Sequence, residues 1–202
     1  MGNGTACRVR YEKQESAGKA LLEASEILFR GDFRLKIPFT TIQSAKALGG
    51  ELRLQTTAGL VVFELGEAAE KWCDKILHPK PRMEKLGVKT GAKVSLHGEF
   101  DAAFLRELGG LTKLLSKGKV AADSGWIFFA ADSKEGLSGL LKIAKSMKGA
   151  AALWIVYPKG QKHITENDVL ASGRKTGLKD VKVVGFSPTH TALKFVIPLS
   201  QR

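Results

Sequence analysis

The chain has 202 residues, 44% hydrophobic and 26% charged, which suits one large globular domain or two small ones. No apolar run reaches the roughly 20 residues of a membrane span, and the first residues, MGNGTACRVRYEKQ, lack the apolar stretch of a secretory signal, so a cytoplasmic protein is expected. The net charge of +12 is unevenly placed: residues 81–202 hold 20 Lys/Arg against 10 Asp/Glu, and residues 1–80 hold 12 against 10.

The first half reads as β-rich. Strands are predicted over 6–12, 19–24, 26–30, 33–38, 51–56 and 60–65, with turns at Ala17-Gly18, Gly31-Asp32, Gly49-Gly50 and Ala58-Gly59. Arg30-Gly31-Asp32 reads as a hairpin turn rather than an adhesion tripeptide. A helix is predicted over 67–77, because Ala69, Trp72, Cys73, Ile76 and Leu77 make one apolar face, with Glu67 and Glu70 in its first turn. Cys7 and Cys73 form no CxxC and read as reduced thiols, one on that core helix. Antiparallel strands closed by one helix with a central Trp resemble a pleckstrin-homology-like (PH-like) barrel. The resemblance implies a docking platform. It does not extend to phosphoinositide binding, because the first hairpin, Glu12 to Lys19, is nearly balanced in charge.

The segment His78-Pro79-Lys80-Pro81-Arg82 breaks the periodicity. Domains are therefore expected over 1–78 and 86–202, joined by a proline-containing linker over 79–85.

Beyond it, strands and helices alternate: a strand at 93–96, a helix at 102–108, a Lys-rich segment at 112–119, a strand at 126–131, a helix at 137–148, a strand at 151–157, a helix at 166–175, and strands at 181–186 and 193–199 joined by Ser187-Pro188-Thr189-His190. The continuous apolar runs WIFFAA and ALWIVY suit strands buried on both faces of a parallel sheet. The fold class expected is thus α+β followed by α/β: a small antiparallel β domain, then a reduced Rossmann-type sheet ending in an antiparallel strand. LGVKTGAKVSLHG and MKGAAALWIVYPKG resemble the first-strand and fifth-strand regions of class I methyltransferases. The series LGVKTGAKV, ALWIVYPKG, ITENDV, GLKDVKV and ALKFV resembles a bacterial family of small Rossmann-like proteins. The resemblance implies a fold and no particular chemistry.

In such a sheet, ligands sit at the carboxyl ends of the strands. The residues expected there are His97, Glu99, Asp101, Asp132, Ser133, Lys159, Lys162, His163 and His190. The first turn, His97-Gly98-Glu99-Phe100-Asp101, has a single glycine where a nucleotide site wants several. No catalytic residue, metal or cofactor is assigned: no metal-ligand spacing, Walker A, GxSxG or HExxH pattern occurs. Asp132 with Glu135, and Thr165 with Asp168, fit helix capping. Lys142, Lys145 and Lys148 at three-residue steps opposite Leu140, Leu141, Ala144 and Met147, together with Lys113, Lys117 and Lys119, form a candidate surface for an anionic partner. The expectation is a non-catalytic binding or docking protein that engages a protein or an anionic ligand. The alternatives are a methyltransferase with an altered S-adenosylmethionine turn and a nucleic-acid-binding protein acting through the basic half.

Overall fold

The first seven strands pair in chain-neighbour order, in a computed structural model that describes residues 4–23 and 25–202 and divides between Lys80 and Pro81 into two units. They are β1 (Thr5–Tyr11), β2 (Gln14–Leu22), β3 (Glu26–Arg30), β4 (Arg34–Pro38), β5 (Ile42–Leu48), β6 (Glu51–Thr56) and β7 (Gly59–Glu64). The antiparallel sheet runs β4-β3-β2-β1-β7-β6-β5. It curls without closing: among the described residues β4 and β5 each pair with one neighbour, so the expected barrel is an open half-barrel. Helix α1 (Ala68–Leu77) covers its inner face with Ala69, Trp72, Cys73 and Ile76, packed against Val9, Phe29, Leu52, Leu54 and Phe63. Burying each such large side chain contributes about 1.5–3 kcal/mol before entropy is counted.

Two expectations are corrected here. The first hairpin turns at Glu12-Lys13, with Glu12 at φ 53°, while Ala17 and Gly18 lie inside β2. Gly18 is there for close packing: a Cβ would meet the Arg30 carbonyl oxygen at 2.3 Å. The expected strand over 19–24 also reaches residue 24, which lies outside the described residues. Strand β5 has no counterpart among the predicted strands, because IQSAKAL buries only Ala45 fully.

The second unit contains α2 (Arg82–Leu86), β8 (Val94–His97), α3 (Ala102–Leu111), β9 (Leu115–Lys117), β10 (Trp126–Ala130), α4 (Leu140–Ser146), β11 (Ala152–Pro158), α5 (Glu166–Lys175), β12 (Lys179–Gly185) and β13 (His190–Val196). Residues 82–86, most of them expected in a linker, are therefore helical. Pro81 precedes the first helical residue, and Met83 and Leu86 are buried. The mixed sheet runs β12-β13-β11-β10-β8-β9. β9, β8, β10 and β11 are parallel, and β13 is antiparallel to both of its neighbours.

Both faces of the sheet are covered. Phe128, Trp154 and Val156 face α2 and α3 residues; Ile127, Phe129, Leu153 and Ile155 face α4 and α5 residues. This double burial is why β10 and β11 read as unbroken apolar runs. The helix expected over 137–148 is instead a 3-10 turn, Glu135–Gly139, followed by α4. Ile143 is buried there and Leu141 is exposed. Lys148 lies beyond the helix end, so the row Lys142, Lys145 and Lys148 is not one helix face.

Candidate functional site: an aromatic cleft at the strand ends

β8 delivers its chain to the sheet end through Gly98, at φ 87°. A Cβ there would stand 3.0 Å from both the Cβ and the carbonyl oxygen of Ala130 at the end of β10. One glycine therefore serves the close approach of two strand ends, and side chains occupy the rest of the turn. Phe100 joins a cluster of rings, with centroids 5.2 Å from Phe104, 6.4 Å from Phe128 and 6.3 Å from Phe186.

Asp101 caps α3, its Oδ1 accepting the Phe104 N–H at 2.7 Å. Its Oδ2 accepts from Arg82 Nη1 at 3.1 Å. Arg82, 13% exposed, donates from Nη2 and Nε to the two Glu107 oxygens at 2.7 and 3.1 Å. Its guanidinium carbon stands 5.3 Å from the Phe104 ring centre and 5.0 Å from that of Phe186. Burial opposes the Arg82 charge, but Glu107 and then Asp101 outweigh it and raise its pKa. Burial likewise works to raise the Asp101 carboxyl, yet the Phe104 N–H and the Arg82 guanidinium hold it below its ordinary value.

Beside this assembly opens a cleft of about 530 Å³, walled by Phe100, Val156, Phe186 and Pro188 and edged by Glu99, Asp101, Glu107, Asp132 and His190. Four of the expected site residues thus meet: Glu99, Asp101, Asp132 and His190. The His190 ring meets the Thr189 hydroxyl through Nδ1 at 2.9 Å. Lys159 sits by the rim, Nζ donating to the Ser187 carbonyl at 2.9 Å.

The others lie outside the cleft lining. His97, one residue before Gly98, has the strand parity of Ser95 rather than of Val94 and Leu96, which face α2 and α3. Its pKa is lowered by burial first and by Lys142 of α4 second, and its Nε2 is buried without a hydrogen-bond partner. The capping expected of Asp132 with Glu135 is not formed: the 3-10 turn has Lys134 at its N-cap with no side-chain cap hydrogen bond, and Ser133 Oγ accepts the Gly136 N–H at 3.3 Å. Lys162 and His163 are exposed before α5, where Thr165 and Asp168 form the expected capping box. Among the lysines, Lys113 donates to the Gly109 carbonyl near the end of α3 at 2.9 Å, a capping role. Lys117 and Lys119 are exposed, as is Lys142, while Lys145 is exposed near the end of α4.

Sequence reasoning placed Phe100 in the turn without giving it a role, and missed Arg82, Glu107 and Phe186. The proline-rich surroundings of Arg82 read as linker, and its partners stand 19, 25 and 104 residues away.

No family model and no curated protein matches the chain. Among solved structures, it is similar to a SAM-dependent methyltransferase from Aquifex aeolicus, at 16% identity over 57% of this chain and 87% of that one, with a TM-score of 0.43. It is similar to a TehB-like SAM-dependent methyltransferase from Corynebacterium glutamicum at 13% identity, over 64% and 95% of the two chains, with a TM-score of 0.39. It is also similar to the N-terminal PH domain of human ARAP2 at 14% identity, over 50% and 92%, with a TM-score of 0.34. Among the described residues, no helix is long and apolar enough to cross a membrane, and no cluster of His, Cys, Asp and Glu could hold a metal ion.

Proposed function

We propose that this chain is a binding protein, with a PH-like docking platform in its first unit and a ligand cleft, rather than a methyl-transfer site, in its second. The observation that carries the reading is Phe100. It stands in the turn after β8, packs into the ring cluster, and becomes a wall of a cavity of about 530 Å³. A cavity of that size, mostly apolar with a few convergent polar groups, is what a small-molecule or side-chain site requires.

The residues do not fit an adenosyl cofactor. Such a group needs room at the first turn and a carboxylate for the ribose past the second strand. Here the turn is occupied by Glu99 and Phe100, and β9 runs out into Lys117, Gly118 and Lys119. Methyl transfer is therefore the weaker reading, although the antiparallel strand β13 between β11 and β12 agrees with what the class I methyltransferase resemblance implies.

The test is thermal unfolding of the full chain with a set of ring-containing fragments, S-adenosylmethionine, S-adenosylhomocysteine, nucleotides and oligonucleotides. A native-state ligand at 100 times its Kd stabilises by about 2.7 kcal/mol. The expected result is stabilisation by one or more fragments that is lost in Ala103→Phe, a change at an exposed position on the cleft wall. Stabilisation by the adenosyl compounds, or by oligonucleotides with an effect that fades as salt rises, would replace this reading. Silence across the set would remove it.

A further inference from the structure

The charge of the cleft runs against the charge of the unit that holds it. Residues 81–202 carry 20 Lys/Arg and 10 Asp/Glu. Yet Glu99, Asp101, Glu107 and Asp132 all line this one cleft, and Arg82 is the one Lys or Arg among its lining residues.

The charge of Arg82 is already committed. Asp101 and Glu107 hold the guanidinium between them, and Asp101 also caps α3. Glu99 and Asp132 have no hydrogen-bond or ion-pair partner among the described residues. The neighbouring ammonium of Lys159 is drawn onto the Ser187 carbonyl. The cleft thus offers two uncommitted carboxylates beside the Phe100 and Phe186 rings.

Arg82 shows what that combination accepts. Its guanidinium rests 5.0 Å from the Phe186 ring centre with carboxylates at its edge. A cation over an aromatic face gains about 0.5–2 kcal/mol, most where water is excluded. An anion in the same place would meet the like charges of Glu99 and Asp132.

Building on the ligand-cleft reading, we propose that this cleft selects a flat organic cation, an amidinium or guanidinium carried on a ring or short chain. The charged head sits between Glu99 and Asp132, and the flat part lies against Phe100 and Phe186. The anionic partner expected from the net charge is then a matter for the lysine-rich surface and not for this site.

The experiment uses three molecules with one ring and three charges: benzamidine, benzamide and benzoate. Each is titrated into the full chain by calorimetry at physiological salt. Benzamidine is expected to bind about tenfold tighter than benzamide, a difference of about 1.4 kcal/mol, with no heat from benzoate. In the double variant Glu99→Gln with Asp132→Asn the preference should shrink to about threefold or less. Both positions are exposed, so the unfolding midpoint of that variant should match the parent.

Equal binding of benzamide and benzamidine would overturn the cation selection and leave the cleft reading standing. Cation selection also fails, with the cleft reading intact, if the double variant keeps the preference, or if none of the three binds while other fragments do. Silence of these three together with the whole fragment set would remove both.

Discussion

The Arg82 guanidinium stacks on Phe186, 104 residues later in the chain, and donates to its carbonyl oxygen at 3.4 Å. This pair ties the first helix of the second unit to the end of β12. The cleft wall is built on that tie, because Phe186 also meets Phe100 and Phe104.

Arg82→Ala should lower the unfolding free energy by about 1–3 kcal/mol. The loss combines a charge-assisted hydrogen-bond fork with ring contacts. The ion-pair part is discounted because Asp101 and Glu107 are each 44% exposed. Arg82→Lys should recover less than half of it, since an ammonium cannot reproduce the two-oxygen fork to Glu107. Urea unfolding of the three proteins checks this; full recovery by Lys would show that charge alone matters.

Gly173 lies in α5, where alanine ordinarily stabilises a helix by up to about 1 kcal/mol. Here a Cβ would stand 2.3 Å from two ring carbons of Phe195, a side chain with no exposure at all. Overpacking of this kind costs about 1–3 kcal/mol, so Gly173→Ala should destabilise. A raised melting temperature would show that the Phe195 ring yields easily.

The His97 imidazole is held below its ordinary value of 6.5, first by burial and then by Lys142. A proton taken up near neutrality therefore favours the unfolded chain. The stability this position contributes is complete above about pH 6.5 and is lost as the pH falls through the lower folded value. Replacing His97 with Gln should flatten the fall of stability between about pH 7 and pH 5, measured by urea unfolding at several pH values. Lys142→Met should move the ring titration upward in an NMR titration.

Asp168 titrates far below an ordinary carboxyl, down to about 2, because of the Thr165 side-chain hydrogen bond first, then Lys134 and the Thr165 backbone. Its contribution is present above the unfolded value of about 4 and lost as the pH falls toward about 2. Thr165→Val should raise the carboxyl titration by more than Lys134→Met does, followed by carbon-13 shifts. The reverse order would place the ion pair of Lys134, 3.0 Å away, above the capping box.

Local signals were legible where a feature closes within a few residues. The apolar stripe of α1, the Thr165–Asp168 box and the two-sided burial of β10 and β11 are all written in short windows. Gly18 misled because a glycine needed for contact with Arg30 across a strand pair reads the same as a glycine needed for a turn. Strand β5 was invisible because its apolar alternation is too weak to show a period.

Hydrophobic periodicity, caps and turn residues act over a few neighbours, so most elements and the single-glycine turn follow from local chain order alone. The net charge is written there too, but not where that charge would point. Packing in three dimensions is what leaves His97 outside the cleft lining while Glu99, Asp132 and His190 share it. Strand alternation sends successive side chains to opposite faces, and the sheet order brings three separate strand ends together. Packing also gives a basic unit an acidic cleft, since the partners that neutralise Arg82 come from positions no local pattern connects to it.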